Sequence, residues 1–270
     1  NMIYLNGQKT QEIVLQNNAF LNGDAVKVHF FVKNNQLIMA EECYFFLMAS
    51  MRKMRMNIPL SFTLEFFTET FNKAISENNL ELGVITFMAF RNREDVLSSR
   101  TPVQYYFELN ADVNVLSIHK NIEIDLLKEI SVNTNILSNI RTHSPENIYA
   151  EIYAAENDLD DVILLNPDKR VARTISGNLL LLEENTIKIP KQSEGAYISP
   201  LMENFVTFLH KNAFVIIEEA ELSAFETQKA EEILVISDEK GVFSVSKIRN
   251  KEFGNERFSA MVESWSNSFA

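Results

Sequence analysis

Two Ser-Pro pairs, Ser144-Pro145 and Ser199-Pro200, constrain the fold of this chain more than any other feature. A serine hydroxyl accepts a hydrogen bond from an unpaired amide in the first turn of a helix, and proline is preorganised for the first helical position. The pairs therefore predict helices running to about Glu156 and about Lys211. Two hairpin signatures lie between them. Val162–Leu165 and Val171–Arg173 flank the turn Asn166-Pro167-Asp168-Lys169, and Leu179–Leu182 and Ile187–Ile189 flank Glu184-Asn185. Further on, strands at Val215–Glu218, Ile233–Ser237 and Val242–Ile248 are expected, with a short helix near Ser223–Lys229 and a closing helix over Phe253–Ser264. Such an order excludes an all-helical or all-strand domain, so the expected class is α/β (α+β).

The first part of the chain reads as a meander with two helices. Met2–Leu5, Val26–Val32 and Leu37–Met39 are β-rich runs separated by Asn22-Gly23-Asp24 and Asn34-Asn35. Ala40–Met56 has no helix breaker, and Pro59 follows it closely. Ser61 is the expected N-cap of a second helix to about Asn78, with Leu64, Phe67, Phe71 and Ile75 on one face. That aromatic stripe is read as core. Gly83–Phe90 and Val103–Leu109 follow as strands, and a polar change of texture places a linker between about 112 and 121. The expected division is a small N-terminal α/β domain over 1–115 and a larger C-terminal one over 116–270.

Composition narrows the function. The chain has 270 residues, 46% of them hydrophobic and 23% charged, which excludes a disordered polymer. A formal charge of −12 disfavours nucleic-acid or anionic-membrane partners. One cysteine, Cys43, precludes an intramolecular disulfide and fits a reducing compartment. Met2–Gly7 lacks a basic stretch followed by an apolar run, and no uncharged apolar run is of membrane-spanning length, so a cytoplasmic protein is expected. Neither H-x-x-x-H nor C-x-x-C occurs, and no metal site is expected. His119, His143 and Cys43 belong to no catalytic constellation and are read as structural.

Chemistry concentrates in Asn139-Ile140-Arg141-Thr142-His143-Ser144 and Val171-Ala172-Arg173-Thr174-Ile175-Ser176-Gly177-Asn178. These resemble the two core motifs of the class IV aminotransferases, the fold type IV pyridoxal-phosphate enzymes. Asn17–Val26 resembles the family's R-x-F-x-Y-G-D-G-x-F-E segment, and Asn157–Asn166 its aspartate-rich strand entry. Ser193-Glu194-Gly195 matches the S-E-G before the phosphate-binding helix. Arg141 and Arg173 stand 32 positions apart, as the family's cofactor lysine and glutamate do. The resemblance implies a two-domain D-amino-acid aminotransferase-like fold, a homodimer, and a cofactor site in the cleft between the domains.

It also implies which residues would carry the chemistry, and here they differ. The lysine position holds Arg141, whose guanidinium stays protonated and is a poor nucleophile, so it can neither link covalently to the cofactor nor readily move a proton. The glutamate position holds Arg173, which weakens the electron sink without forbidding all chemistry. The phosphate-binding arginine aligns with Phe46, and the family's helix opening with Ser199-Pro200-Leu201-Met202, where Pro200 brings no N–H. The late hydroxyl loop reads Ser237-Asp238-Glu239, which sets carboxylates beside the place of a phosphate, and the glutamate of the G-D-G segment is replaced by Val28. The expectation is thus a family member without catalytic residues and without the cofactor. An ion pair among Arg141, Arg173, Asp238 and Glu239 would fill the vacated cleft, in preference to a small bound anion such as a carboxylate or phosphate metabolite. The alternative is an active pyridoxal-phosphate-dependent aminotransferase or aminodeoxychorismate lyase.

Overall fold

Short β-runs punctuated by asparagine turns build the first of two units, which extends to Asn114 and takes in Ile140–His143. A computed structural model describes residues 2–269. In chain order the first unit contains β1 (Ile3–Leu5), β2 (Gln8–Lys9), α1 (Asn18–Asn22), β3 (Ala25–Lys33), β4 (Gln36–Ile38), α2 (Ala40–Lys53), α3 (Leu64–Glu77), β5 (Leu82–Arg91) and β6 (Val103–Ala111). Its sheet has the order β2-β1-β6-β5-β3-β4, every pairing antiparallel. Alternation assigns Val26, Val28, Phe30 and Val32 to one face of β3, and all four are buried. Phe30 meets Phe71 of α3 at 4.7 Å between ring centroids. Phe67, Phe71 and Ile75 are buried on α3, the face expected from their spacing.

The cap of α3 is Thr63 rather than Ser61: its hydroxyl accepts the amide of Phe66 at 3.1 Å. The amides of Phe62 and Thr63 are taken by the carbonyls of Pro59 and Ser61, so that turn must close before a helix can begin. An ion pair fixes the far end of this unit. Asp24 accepts Nη1 of Arg91 at 2.6 Å and Nδ2 of Asn18 at 2.5 Å, and Nη2 of Arg91 reaches the carbonyl of Met54. Both charged side chains are less than a tenth exposed.

The second unit, Val115–Asn139 with Ser144 onward, contains β7 (Ile118–Leu127), α4 (Pro145–Glu156), β8 (Asp161–Leu165), β9 (Val171–Arg173), β10 (Asn178–Glu183) and β11 (Thr186–Pro190). It continues with α5 (Pro200–Lys211), β12 (Ile216–Ala220), α6 (Glu226–Lys229), β13 (Glu232–Ser237), β14 (Gly241–Ile248), β15 (Lys251–Glu252) and α7 (Glu256–Asn267). Its sheet runs β12-β11-β10-β13-β14-β7-β8-β9, with β15 added to β14. Both Ser-Pro helices form as expected: Ser144 accepts the amide of Asn147 at 3.3 Å, and Ser199 that of Met202 at 3.0 Å.

The expected linker over 112–121 is corrected here, because β7 begins within it at Ile118 and pairs in parallel with both β14 and β8. His119, Lys120, Asn121 and Glu123 are exposed on β7 while Ile122 and Ile124 enter the core, so a polar outer side disguises the strand. The first unit ends at Asn114, next to the expected boundary at 115, and also takes in Ile140–His143.

The Ser-Glu-Gly segment anchors the second unit. Glu194, 3% exposed, accepts Nε and Nη2 of Arg170 at 2.5 and 3.0 Å and Nδ2 of Asn166 at 3.1 Å. Its hydrogen bonds from Arg170 hold the carboxyl below the usual range. A depressed carboxylate contributes stability above its unfolded pKa, and that contribution disappears as pH falls through the folded value. Glu194→Gln should therefore cost about 1 kcal/mol near neutrality, a low figure because Arg170 is 35% exposed, and cost less in acid. Urea unfolding at both pH values checks this; an equal loss at both would contradict it.

Among the described residues, no helix is long and apolar enough to cross a membrane, and no group of three or more His, Cys, Asp or Glu could hold a metal.

Candidate functional site

In the first unit, Ile140–His143 runs alongside the start of β3. The amide of Lys27 donates to the carbonyl of Arg141 at 2.9 Å, and the two residues form an antiparallel bridge. Paired residues share a face, so Arg141 lies on the side of β3 that carries Lys27 and His29, opposite the aromatic core. Arg141 is 7% exposed. Gly23, at φ +68°, admits this segment: a Cβ there would lie 2.8 Å from Cβ and Cγ of His143. Only glycine meets both requirements.

His29 was not among the residues that sequence reasoning selected. It is 2% exposed, and its Nδ1 lies 3.0 Å from the hydroxyl of Thr86, its partner on β5. Burial, then the charges of Arg141 and Lys27, hold its pKa well below the ordinary histidine value. No local pattern marks it, because its neighbours arrive from β5 and from residue 141. Phe46 is buried on α2 and offers no hydrogen to an anion.

The second unit gathers the remaining candidates at the ends of β9, β13 and α5. Arg173, 5% exposed, lies 4.2 Å over the ring of Tyr197, and its Nη1 donates to the carbonyls of Thr174 and Ile175 at 2.8 Å each. Tyr197 is held by Asn178, whose amide side chain donates to its carbonyl at 2.8 Å and accepts its N–H at 3.0 Å. Asn139 grips the same loop by donating to the carbonyls of Gln192 and Ala196. The asparagines of both motifs thus shape the backbone around Tyr197.

At the start of α5, the Ser199 hydroxyl accepts the amide of Met202 and donates to Oδ1 of Asp238 at 2.5 Å. Pro200 stands at the first helical position, and Leu201 is fully buried. Asp238 is 2% exposed, whereas Glu239 is exposed on the turn between β13 and β14. Ser237 donates to the hydroxyl of Ser176 at 3.2 Å and accepts the amide of Lys240 at 3.1 Å. At the head of β8, Oδ1 of Asp161 accepts the amides of Val162 and Ile175 at 2.8 and 3.1 Å. Burial raises this carboxyl to about 6, against the lowering effect of those two amides.

These residues do not fit pyridoxal phosphate. A helix start attracts a phosphate through free amides and a positive dipole end. The start of α5 lacks the amide of residue 200, has that of Met202 capped by serine, and already bears a buried carboxylate. Two unit charges of like sign at about 4 Å repel by about 4 kcal/mol at an intermediate dielectric. Arg141 supplies no deprotonatable amine. Ser237 and Ser176 keep hydroxyls, but these bond to each other.

Comparison with known proteins agrees on the fold. The family model for amino-transferase class IV matches residues 28–248. No curated protein sequence matches the chain. Among solved structures, a Legionella pneumophila protein designated a 4-amino-4-deoxychorismate lyase superposes with a TM-score of 0.86 at 18% identity, covering 98% of both chains. The branched-chain aminotransferase of Thermoproteus uzoniensis, solved with norvaline, gives 0.87 at 12% identity, covering 97% of this chain and 92% of that one. The pyridoxal-phosphate form of the Thermobaculum terrenum branched-chain aminotransferase gives 0.85 at 15%, covering 98% and 92%.

Proposed function

Because the chain belongs to the class IV aminotransferase family, we propose that it keeps the family fold and has lost pyridoxal-phosphate binding together with transaminase or lyase chemistry. One observation carries this reading: the buried carboxylate of Asp238, hydrogen-bonded to the cap of a helix whose first residue is proline. On the family alignment, this carboxylate would sit beside the coenzyme's phosphate and repel it. Arg141 at the lysine position supports the same conclusion. Asp238 is the acid we assign to the expected ion pair, and the exposed Glu239 is set aside. Family resemblance supports a homodimer, and the acidic single-cysteine composition supports a cytoplasmic protein without nucleic-acid or membrane partners.

The competing reading, an active aminotransferase or lyase, draws on the likeness to a coenzyme-bearing neighbour. The two separate on mixing the protein with pyridoxal phosphate, reducing with borohydride and measuring intact mass. The expected result is no saturable adduct and no visible absorbance beyond that of free coenzyme. One stoichiometric adduct, mapped to a single lysine, would overturn the proposal.

A further inference from the structure

The first unit holds a cavity that the motif residues do not line. Its volume is about 530 Å3, and its walls come from the turn after β3, the turn before β5 and the end of β6. Lys33, on its rim, stands six residues along β3 from Lys27, about 20 Å away in an extended strand. Three left-handed residues shape the walls: Asn34, Asn79 and Asp112, at φ 53°, 50° and 65°. Asparagine and aspartate tolerate that conformation better than branched or bulky residues do. Backbone hydrogen bonds tie the turns to one another. The amide of Asn35 donates to the carbonyl of Glu81 at 3.0 Å, and that of Asp112 to the carbonyl of Leu82 at 2.9 Å. Asn35 Nδ2 adds a third tie, to the carbonyl of Leu80 at 3.1 Å.

The polar side chains fall into two groups. Asn78 is committed to the wall: its Nδ2 donates to the Ala74 carbonyl and the Tyr4 hydroxyl, and its Oδ1 accepts Nζ of Lys9. Asn34, Asn79, Glu81 and Asp112 are exposed, and among the described residues no side-chain hydrogen bond or ion pair engages them. Each of the two asparagines offers a carbonyl oxygen beside an NH2, a pairing that two neighbouring hydroxyls satisfy. Glu81 and Asp112 add acceptors for hydroxyl hydrogens, and Lys33 adds a donor. Two acids against one lysine disfavour an anion. An organic cation would use the acids and leave the amides idle. The volume lies within the ligand-site range of about 300–1,000 Å3. Half-buried Leu82 gives carbon-bound hydrogens a surface to rest on.

We propose that this cavity binds a neutral polyhydroxylated ligand, a monosaccharide or sugar alcohol. Asn34 and Asn79 grip pairs of hydroxyls, while Glu81, Asp112 and Lys33 take those at the rim. Binding there uses none of the motif residues, so it is independent of whether the coenzyme is lost.

The test follows the side-chain amide signals of Asn34 and Asn79 in the 15N-labelled full chain. The probes are D-glucose, D-galactose, sorbitol, sodium acetate and methylammonium. At least one of the first three should shift both signals to saturation, and acetate and methylammonium should leave them still. Asn34→Gly and Asn79→Gly each remove one amide and keep a residue suited to a left-handed φ. Either should weaken the best polyol by about tenfold, read from the remaining asparagine, with circular dichroism confirming folded protein. No saturable shift with any polyol, an equal or stronger response to acetate or methylammonium, or unchanged affinity in either variant would each overturn the site.

Discussion

Asp24→Ala should cost about 3–5 kcal/mol of stability, the largest loss expected from any single change considered. The reason is what it leaves behind. Arg91 is 7% exposed, gives one nitrogen to Asp24 and one to the carbonyl of Met54, and has Nε buried without a partner. Removing the carboxylate strands a guanidinium in a region where water cannot reach it, and also releases Asn18. Urea unfolding of the single variant should show the full loss. Asp24→Ala with Arg91→Met should recover a large part of it, because that pair removes the charge along with its partner. A single-variant loss below about 1 kcal/mol, or no recovery in the double variant, would contradict this account.

Asp161→Asn should do the opposite and stabilise the protein by about 2 kcal/mol near neutrality. Burial raises the carboxyl of Asp161 from 3.8 to about 6. A group raised on folding lends stability that is complete below its unfolded pKa and lost as pH rises through the folded one. At neutrality that contribution is gone, and the folded state holds a charge it disfavours. The full displacement is worth about 3 kcal/mol, reduced here because the residue keeps some surface. Asparagine retains Oδ1, the acceptor for both Val162 and Ile175, and carries no charge. Thermal melts should therefore separate from wild type as pH rises between about 4 and 7 and coincide in stronger acid. A variant less stable than wild type at neutrality would show that the charge matters more than its burial.

The legible and illegible parts of this fold differ by the distance over which they are encoded. Each Ser-Pro pair acts on amides within one turn, so α4 and α5 were readable to the residue. α1 was missed although its boundaries, Asn17 as N-cap and Gly23 in the left-handed region, are both local; five residues are too few for helical periodicity to register. β7 was missed because its polar outer side resembles a linker until β14 and β8 cover the other. Arg141, Arg173, Pro200 and Asp238 were singled out by resemblance to the family motifs, a signal carried by the local sequence. The role of Asn139 and Asn178 in holding one loop was not, since that loop lies well downstream of both. His29 was least visible of all. Its one hydrogen-bond contact comes from Thr86 on β5, and its charge environment from a bridge between residues 27 and 141.

That bridge bears on how the polypeptide emerges from the ribosome. The edge of β3 at Lys27 is completed only by Arg141, and Gly23 only by His143. A truncation ending at Asn114 would contain every strand of the six-stranded sheet and still lack its last neighbour. The first unit is therefore completed only once residues 140–143, which follow β7, have been synthesised.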